Sequence, residues 1–197
     1  MNTTTKQKLI TIGAKAMLAK SYHGVGLQEV LAEAQVPKGS FYHYFASKEA
    51  FGVAIIEYYG DRLAKNIDEF LQDTAYSPRE RIVRYFQAVR DYYESRGFGR
   101  GCLVAKLATE VADPSEPMRL ALKAQFDKWT ALFAKCIAEG QQQQEISDEA
   151  SAESLAEFLY TAWEGVLIRM QVNGNLQPIE VFLAQALDSI LPPCSKK

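Results

Sequence analysis

Apolar residues in this chain recur every three or four positions, which is the spacing of one face of an α-helix. Glycine and proline are sparse, at 12 and 7 of 197 residues, and runs of β-branched residues are rare. The pattern therefore predicts an all-α protein. We expect an N-terminal head of three helices, followed by a body built as a bundle of five or six helices.

The most informative stretch is VPKGSFYHYFASK, residues 36–48. Pro37 and Ser47 mark the starts of two helices, and only about two helical turns fit between them. On a helical wheel, Phe41 and Phe45 share one side and are expected to face a core. The opposite side and its flanks carry polar groups, a phenol and a bare glycine: Lys38, Gly39, Ser40, Tyr42 and His43.

This outer face suits a helix that enters the groove of a DNA duplex. Ammonium, hydroxyl, phenol and imidazole groups can contact phosphates and base edges, and glycine allows close backbone approach. A solvated helix with ordinary polar residues is the alternative interpretation. Residues 27–34 form a preceding helix with its own apolar stripe, and a tight turn follows at 35–37. Together these segments predict a helix-turn-helix, whose second helix reads DNA.

Residues 6–52 resemble the N-terminal domain of the TetR family of transcriptional regulators, through the stretch VPKGSFYHYFASKEAFG. The resemblance implies a DNA-binding domain at 1–47 and an effector-binding and dimerisation domain at 48–197. It also implies a homodimeric repressor on a palindromic double-stranded DNA operator, because two half-sites need two heads. One departure is Gly26, which stands where the family usually has a threonine or serine cap and is a weaker cap itself.

The resemblance also implies where DNA is contacted. The residues expected to read or grip DNA are Lys38, Gly39, Ser40, Tyr42 and His43, with Gln28 and Lys48 on the phosphate backbone. An effector in the body is expected to move the long helix at 47–72 and so change the separation of the two heads.

Charge is distributed unevenly, although the net charge of −2 alone argues weakly against a DNA-binding protein. Residues 1–48 carry six lysines and two glutamates, a balance of +4, so the remaining residues carry −6. A basic head on an acidic body fits a DNA-binding protein, and chance scatter of charge is the alternative. No window approaches about 18 uninterrupted apolar residues, so we expect a soluble, cytoplasmic protein with no membrane partner.

Cys102 is the candidate sensing residue. It follows Gly101 in the first turn of a predicted helix, near Arg100 and Lys106. A helix N-terminus and nearby cations favour the reactive thiolate, whereas a small buried hydrophobic residue is the alternative interpretation. The stretch GCLVAKLATEVADPSEPMR is similar to the N-ethylmaleimide reductase repressors, a TetR subgroup that senses electrophiles and oxidants. That similarity implies that Cys102 is a sensing thiol, although no lysine follows between 135 and 196 to act as its partner.

A second route to effector sensing comes from aromatic residues, which concentrate in the predicted body. At helical spacing such residues usually form the core, but together they can also line an apolar pocket between helices. Phe126, Trp129 and Trp163 are the candidate pocket residues. The effector is therefore either an electrophile or oxidant that reacts with the thiol, or a non-covalent apolar ligand.

Two further classes of function remain as alternatives. An all-helical thiol enzyme would need a base beside its cysteine, yet the only histidines, His23 and His43, lie in the predicted head. No cluster has the spacing of metal ligands, so we expect no catalytic residue, no metal and no cofactor. A helical binding protein that has lost DNA binding is the other alternative, and the intact reading helix argues against it.

Overall fold

The computed structural model describes residues 4–99 and 101–192, which form helices and no β-strand. The helices are α1 Thr5–Lys20, α2 Leu27–Ala34, α3 Lys38–Phe41, α4 Lys48–Leu71, α5 Pro78–Arg96, α6 Leu103–Val111, α7 Glu116–Gln142, α8 Ala152–Asn173, α9 Gln177–Val181 and α10 Leu187–Ile190. A π-helical segment, Phe182–Ala186, joins α9 to α10. The expected all-α fold is confirmed. Among the described residues, no helix combines the length and the apolar character needed to cross a bilayer.

Local capping sets several helix starts. Ser77 and Glu80 form a reciprocal capping box at the start of α5. Ser47 and Ser115 each accept a hydrogen bond from the backbone amide three residues on, at 3.0 and 3.3 Å, and so cap α4 and α7. Gly26 begins α2 without a side-chain cap. These helices therefore begin at residue types that commonly occupy the N-cap position.

Ser147 and Asp148 are residue types that often cap a helix, so the sequence predicts a helix start there, but α8 starts later. The helix begins at Ala152, and the hydroxyl of Ser151 accepts the amide hydrogen bond that caps it. The amide of Ser147 instead donates to the carbonyl of Pro192 at 2.9 Å. A long-range backbone hydrogen bond therefore holds the segment that the sequence assigned to a helix.

The chain divides into two compact units. The first contains the described residues up to Arg62 together with Cys102–Gln125, and the second contains Leu63–Gly101 together with the described residues from Phe126 onward. The division falls within α4 and within α7. As a result, α6 shares a unit with the predicted reading head. The division into domains at 1–47 and 48–197 stays a prediction about function.

Glycines allow close helix packing in the first unit. A Cβ built on Gly13 of α1 would lie 2.4 Å from the ring of Phe51 on α4, so this helix pair needs a bare backbone there. A Cβ on Gly60 of α4 would lie 2.3 Å from the side chain of Gln125 on α7. Both α1 and α7 therefore pack against α4 at glycine positions.

Aromatic side chains fill the core of the second unit. The ring of Phe86 from α5 is stacked on Phe133 from α7, with centroids 5.5 Å apart. It also lies 4.7 Å from Trp163 of α8 and 5.1 Å from Phe182 of the π-helical segment. One phenylalanine thus joins four elements of this unit.

Candidate DNA-binding face and sensing thiol

The predicted reading helix is α3, and buried phenylalanines hold it in place. Phe41 and Phe45 are both buried, as the helical wheel predicted, together with Phe51 at the start of α4. The ring centroid of Phe41 lies 5.2 Å from that of Phe45 and 5.4 Å from that of Phe51. A four-residue helix is not stable by itself, so these contacts determine where its outer face points.

Most of the predicted DNA contacts are exposed, on α2, on α3 and in the turn that follows α3. Five of the seven predicted residues are exposed: Gln28, Lys38, Gly39, Tyr42 and His43. Ser40 is half-buried. A Cβ built on Gly39 would meet no atom within 4 Å, so the folded chain itself does not require glycine at this position. The structure places these residues in one compact unit, and their contact with DNA stays a prediction.

Lys48, the seventh predicted residue, is already engaged within the protein. Its Nζ donates a hydrogen bond to the carbonyl of Tyr22 at 2.9 Å and lies 4.6 Å from the centroid of that tyrosine ring. An ammonium group has three N–H donors, so this bond leaves donors available for a phosphate. Contact between Lys48 and the DNA backbone also stays a prediction.

Sequence reasoning did not single out Tyr44, which is 39% exposed beside α3. Its ring lies 6.5 Å from that of Phe45. The chain leaves the helix after Phe41 and forms a turn over 42–44. On the wheel Tyr44 falls only about 60° from Phe41, close to the side that faces the core, so helical spacing did not indicate that it is exposed.

Cys102 is buried and occupies the N-cap position of α6, directly before the first helical residue, where its thiol makes no capping hydrogen bond. Its predicted position at a helix start is therefore confirmed. Lys106, one of the expected neighbouring cations, donates through Nζ to the carbonyl of Leu18 at 2.9 Å. Arg100, the other, lies outside the described residues. The position of Cys102 at a helix N-terminus favours a thiolate, and the sensing role stays a prediction.

Cys136 offers a contrast within the same chain. Burial raises the pKa of its thiol to about 12, although the positive charge of Arg81 opposes the shift. Its Sγ donates to the carbonyl of Pro78 at 3.3 Å. A thiol held in its neutral form is a poor nucleophile, so we expect Cys136 to be unreactive at neutral pH.

In the described part of the chain, no group of three histidine, cysteine or acidic residues is arranged to hold a metal ion.

The candidate pocket residues lie in the aromatic core of the second unit. Trp129 and Trp163 are both buried. The ring of Trp129 lies 5.5 Å from that of Phe126 and 5.7 Å from that of Tyr160. These rings therefore pack against other aromatic rings, and their role in binding a ligand stays a prediction.

Helix α6 makes a contact with the head that sequence reasoning missed. The carboxylate of Glu110 accepts hydrogen bonds from the backbone amides of Tyr22 and His23, at 2.8 and 2.6 Å. Burial disfavours the ionised carboxyl, but these two amides and the His23 side chain outweigh it and lower the pKa of Glu110. No local pattern could have revealed this contact, because 87 residues separate Glu110 from the nearer partner.

Comparison with known proteins decides the family. A profile for bacterial regulatory proteins of the tetR family matches residues 9–55, and one for the tetracyclin repressor-like C-terminal domain matches residues 78–186. The chain belongs to the TetR family of transcriptional regulators. The first match covers most of the predicted reading head, and the second covers more than half of the chain.

Individual TetR-family proteins are similar in sequence to this chain over nearly its full length. The chain is 34% identical to the HTH-type transcriptional repressor DhaR of Mycobacterium sp. (strain GP1), over 96% of this chain and 94% of that protein. It is also 34% identical to the HTH-type transcriptional repressor NemR of Escherichia coli (strain K12), over 96% and 95%. The crystal structure of the reduced form of E. coli NemR matches with a TM-score of 0.88 at 33% identity, over 98% of this chain and 100% of that one.

The TetR assignment determines the class of function. The family and these relatives are DNA-binding regulators of transcription, so this chain is a regulator and not a thiol enzyme. The head identified from VPKGSFYHYFASK lies within the match at 9–55. The family resemblance stated from the sequence is therefore confirmed.

Proposed function

We propose that this TetR-family protein is a homodimeric repressor, acting in the cytoplasm, that binds a palindromic operator and is released by a small effector. The observation that carries the proposal is the exposed outer face of α3. The buried ring of Phe41 on the opposite side of this helix holds it in place. Lys38, Ser40, Tyr42 and His43 would contact bases and phosphates. Duplex DNA attracts such a face through its phosphates, so the measured affinity should fall steeply as salt rises.

The proposal of a homodimer is supported by an apolar face on α8. Phe158 is 63% exposed and Val172 is 73% exposed, and Ile168 is exposed between them. Gly165 lies on the same helix, is exposed, and would meet no atom within 4 Å if it carried a Cβ. Glycine within a helix is destabilising by about 0.5–1 kcal/mol relative to alanine. A second copy packed closely on this face accounts for both the exposed apolar side chains and the glycine.

Substituting Gly39 and Gly165 should separate DNA binding from dimerisation. We expect Gly39→Ala to weaken operator binding about tenfold, equivalent to ~1.4 kcal/mol, because the added methyl holds the duplex away from α3. We expect Gly165→Leu to raise the dimer dissociation constant at least about tenfold, because a bulky residue overpacks a close helix contact. Fluorescence anisotropy on the operator and sedimentation equilibrium measure the two effects.

Each glycine variant is the control for the other. Gly39→Ala should sediment like the unmodified protein and should keep its thermal stability, since a Cβ at this position meets no atom of the chain within 4 Å. Unchanged operator affinity in Gly39→Ala would contradict the assignment of α3 as the reading helix. An unchanged dimer in Gly165→Leu would place the interface elsewhere.

Covalent modification of Cys102 is the proposed release mechanism. Cys102 occupies the N-cap position of α6, and Lys106 of α6 donates to the carbonyl of Leu18, in the same unit as the reading head. With N-ethylmaleimide as a probe, the thiolate sulfur bonds to one alkene carbon and the other alkene carbon takes a proton from water. The adduct is too large for a buried N-cap position, so α6 must move.

We expect N-ethylmaleimide to weaken operator binding of the unmodified protein by about 5- to 150-fold, the usual range of allosteric coupling. Cys102→Ser should bind the operator normally and should not respond to the reagent. Mass spectrometry of the reacted protein locates the adduct, and the neutral, buried Cys136 should remain unlabelled. An equal response in Cys102→Ser and in the unmodified protein would exclude the thiol switch.

A non-covalent apolar effector is the second candidate, and the aromatic residues Phe126, Trp129 and Trp163 are its proposed contacts. Genomic fragments recovered with the purified protein distinguish the two candidates. Release of the bound fragment by the electrophile favours the thiol. Recovery of a palindromic fragment without such release favours a ligand in the aromatic core, and failure to recover any fragment at low salt would contradict the repressor function.

A further inference from the structure

The turn between α1 and α2 is held by side chains from outside the helix-turn-helix. The two oxygens of Glu110 accept the amides of Tyr22 and His23, at 2.8 and 2.6 Å. From the other side, Lys48 of α4 donates to the carbonyl of Tyr22 at 2.9 Å. Three backbone groups of one turn are therefore bonded to two charged side chains.

This turn leads directly into the DNA-binding motif. Helix α2 begins at Leu27, and α3 follows at Lys38. Lys106 of α6 also donates to the carbonyl of Leu18 in the last turn of α1, at 2.9 Å. Helix α6 therefore bonds both to the end of α1 and to the turn that follows it. The direction in which the chain enters α2 is set at these contacts.

The residues of α6 that make these contacts share a side with Cys102, which occupies the N-cap position. Cys102, Lys106 and Glu110 are spaced by four residues, which places them on one side of a helix, one turn apart. At about 1.5 Å per residue, the thiol position and Glu110 are separated by about 12 Å along the axis. A helix of this length moves as one body, so a displacement at its N-terminus reaches Glu110.

We propose that Glu110 is a positioning residue, through which α6 fixes the orientation of the reading head for one spacing of operator half-sites. This inference rests on the proposed repressor function and adds the residue that couples α6 to the head. A carboxylate is suited to the task because it offers an acceptor oxygen to each of the two amides. The carboxamide of glutamine offers one acceptor, and its NH₂ group would face the second amide donor.

The test uses the full-length protein and two operator duplexes, one natural and one with a single base pair inserted at its centre. The insertion moves the half-sites apart by about 3.4 Å and rotates one by about 35°. We expect the unmodified protein to bind the altered duplex at least about tenfold more weakly, because both heads must fit at once. We expect Glu110→Gln to bind the natural operator more weakly and to distinguish the two duplexes by less than about threefold.

Matched variants separate positioning from a merely structural role. Glu116→Gln is the control, since Glu116 lies in the same unit but is exposed and pairs with Arg119 three residues on. It should distinguish the two duplexes like the unmodified protein. Glu110→Asp keeps the charge and both acceptors on a shorter side chain, and should restore part of the discrimination. A substitution that only lowers stability would change the melting temperature and leave the ratio of the two affinities unchanged.

The outcomes are distinct. Discrimination in Glu110→Gln equal to that of the unmodified protein would overturn the inference while leaving the repressor function intact. Loss of discrimination in Glu116→Gln as well would also overturn it, because the effect would then be non-specific. If the unmodified protein binds both duplexes equally, or binds neither, the proposed dimeric repressor fails and this inference fails with it.

Discussion

Replacing Phe41 with alanine is expected to lower the free energy of unfolding by about 3–5 kcal/mol and to abolish operator binding. The ring is fully buried and packs against Phe45 and Phe51, with centroids 5.2 and 5.4 Å away. Helix α3 has four residues and little hydrogen bonding of its own, so this packing is what forms it. Loss of the ring therefore removes both core contacts and the platform for the DNA-binding face.

Thermal unfolding and fluorescence anisotropy on the operator measure the two effects of Phe41→Ala. Phe41→Leu retains most of the buried volume and should cost less than about 1.5 kcal/mol while binding DNA measurably. Tyr92→Ala, which truncates an aromatic residue that is 57% exposed, should change stability by no more than about 0.5 kcal/mol. Normal operator binding by Phe41→Ala would contradict the packing argument for α3.

Removing Glu139 is the second substitution with a large expected effect, because its partner is a buried cation. Arg81 is buried on α5, and its Nη1 and Nη2 donate to the two carboxylate oxygens of Glu139, at 2.8 and 2.9 Å. It also donates to the carbonyls of Leu71 and Tyr76, at 3.1 and 2.8 Å. Arg81 thus joins the end of α4, the following turn and α7 within the second unit.

Glu139→Gln leaves the guanidinium buried without a countercharge, so we expect a loss of about 3–5 kcal/mol in the free energy of unfolding. Arg81→Met should cost less, because the carboxylate of Glu139 is 39% exposed and can be solvated once released. Denaturant titration at neutral pH measures both. Glu116→Gln, which breaks an exposed pair, is the control and should leave the midpoint nearly unchanged. Equal stabilities of Glu139→Gln and the unmodified protein would contradict the role of the pair.

The contribution of Glu139 should depend on pH in one direction. Hydrogen bonds from Arg81 lower the pKa of its carboxyl below the ordinary 4.5, although partial burial opposes the shift. A carboxyl with a lowered folded-state pKa contributes its full stability above the unfolded pKa and loses it as the pH falls through the folded value. The difference in stability between the unmodified protein and Glu139→Gln should therefore be constant near neutral pH and shrink below pH 4.5.

Short-range signals were sufficient for several helix starts and for the inward face of the head. Ser47 and Ser77 cap helices because a hydroxyl reaches an amide three residues away, and the wheel placed Phe41 and Phe45 inward because helical spacing is local. The turn before α3 was also recognised at 35–37. Its conformation was not, since Gln35 adopts the left-handed region at φ 56°, which the sequence gives no reason to expect from a glutamine.

The sequence by itself determined the all-α class, the helix-turn-helix and its outward-facing residues, because capping and helical periodicity act within a few residues. The tertiary structure alone decided which groups far apart in the sequence form hydrogen bonds with each other. Ser147 lost its predicted capping role to a hydrogen bond with Pro192, and Glu110 and Lys106 of α6 bond to the backbone of the head. Such contacts depend on how distant segments pack, and no spacing in the sequence encodes them.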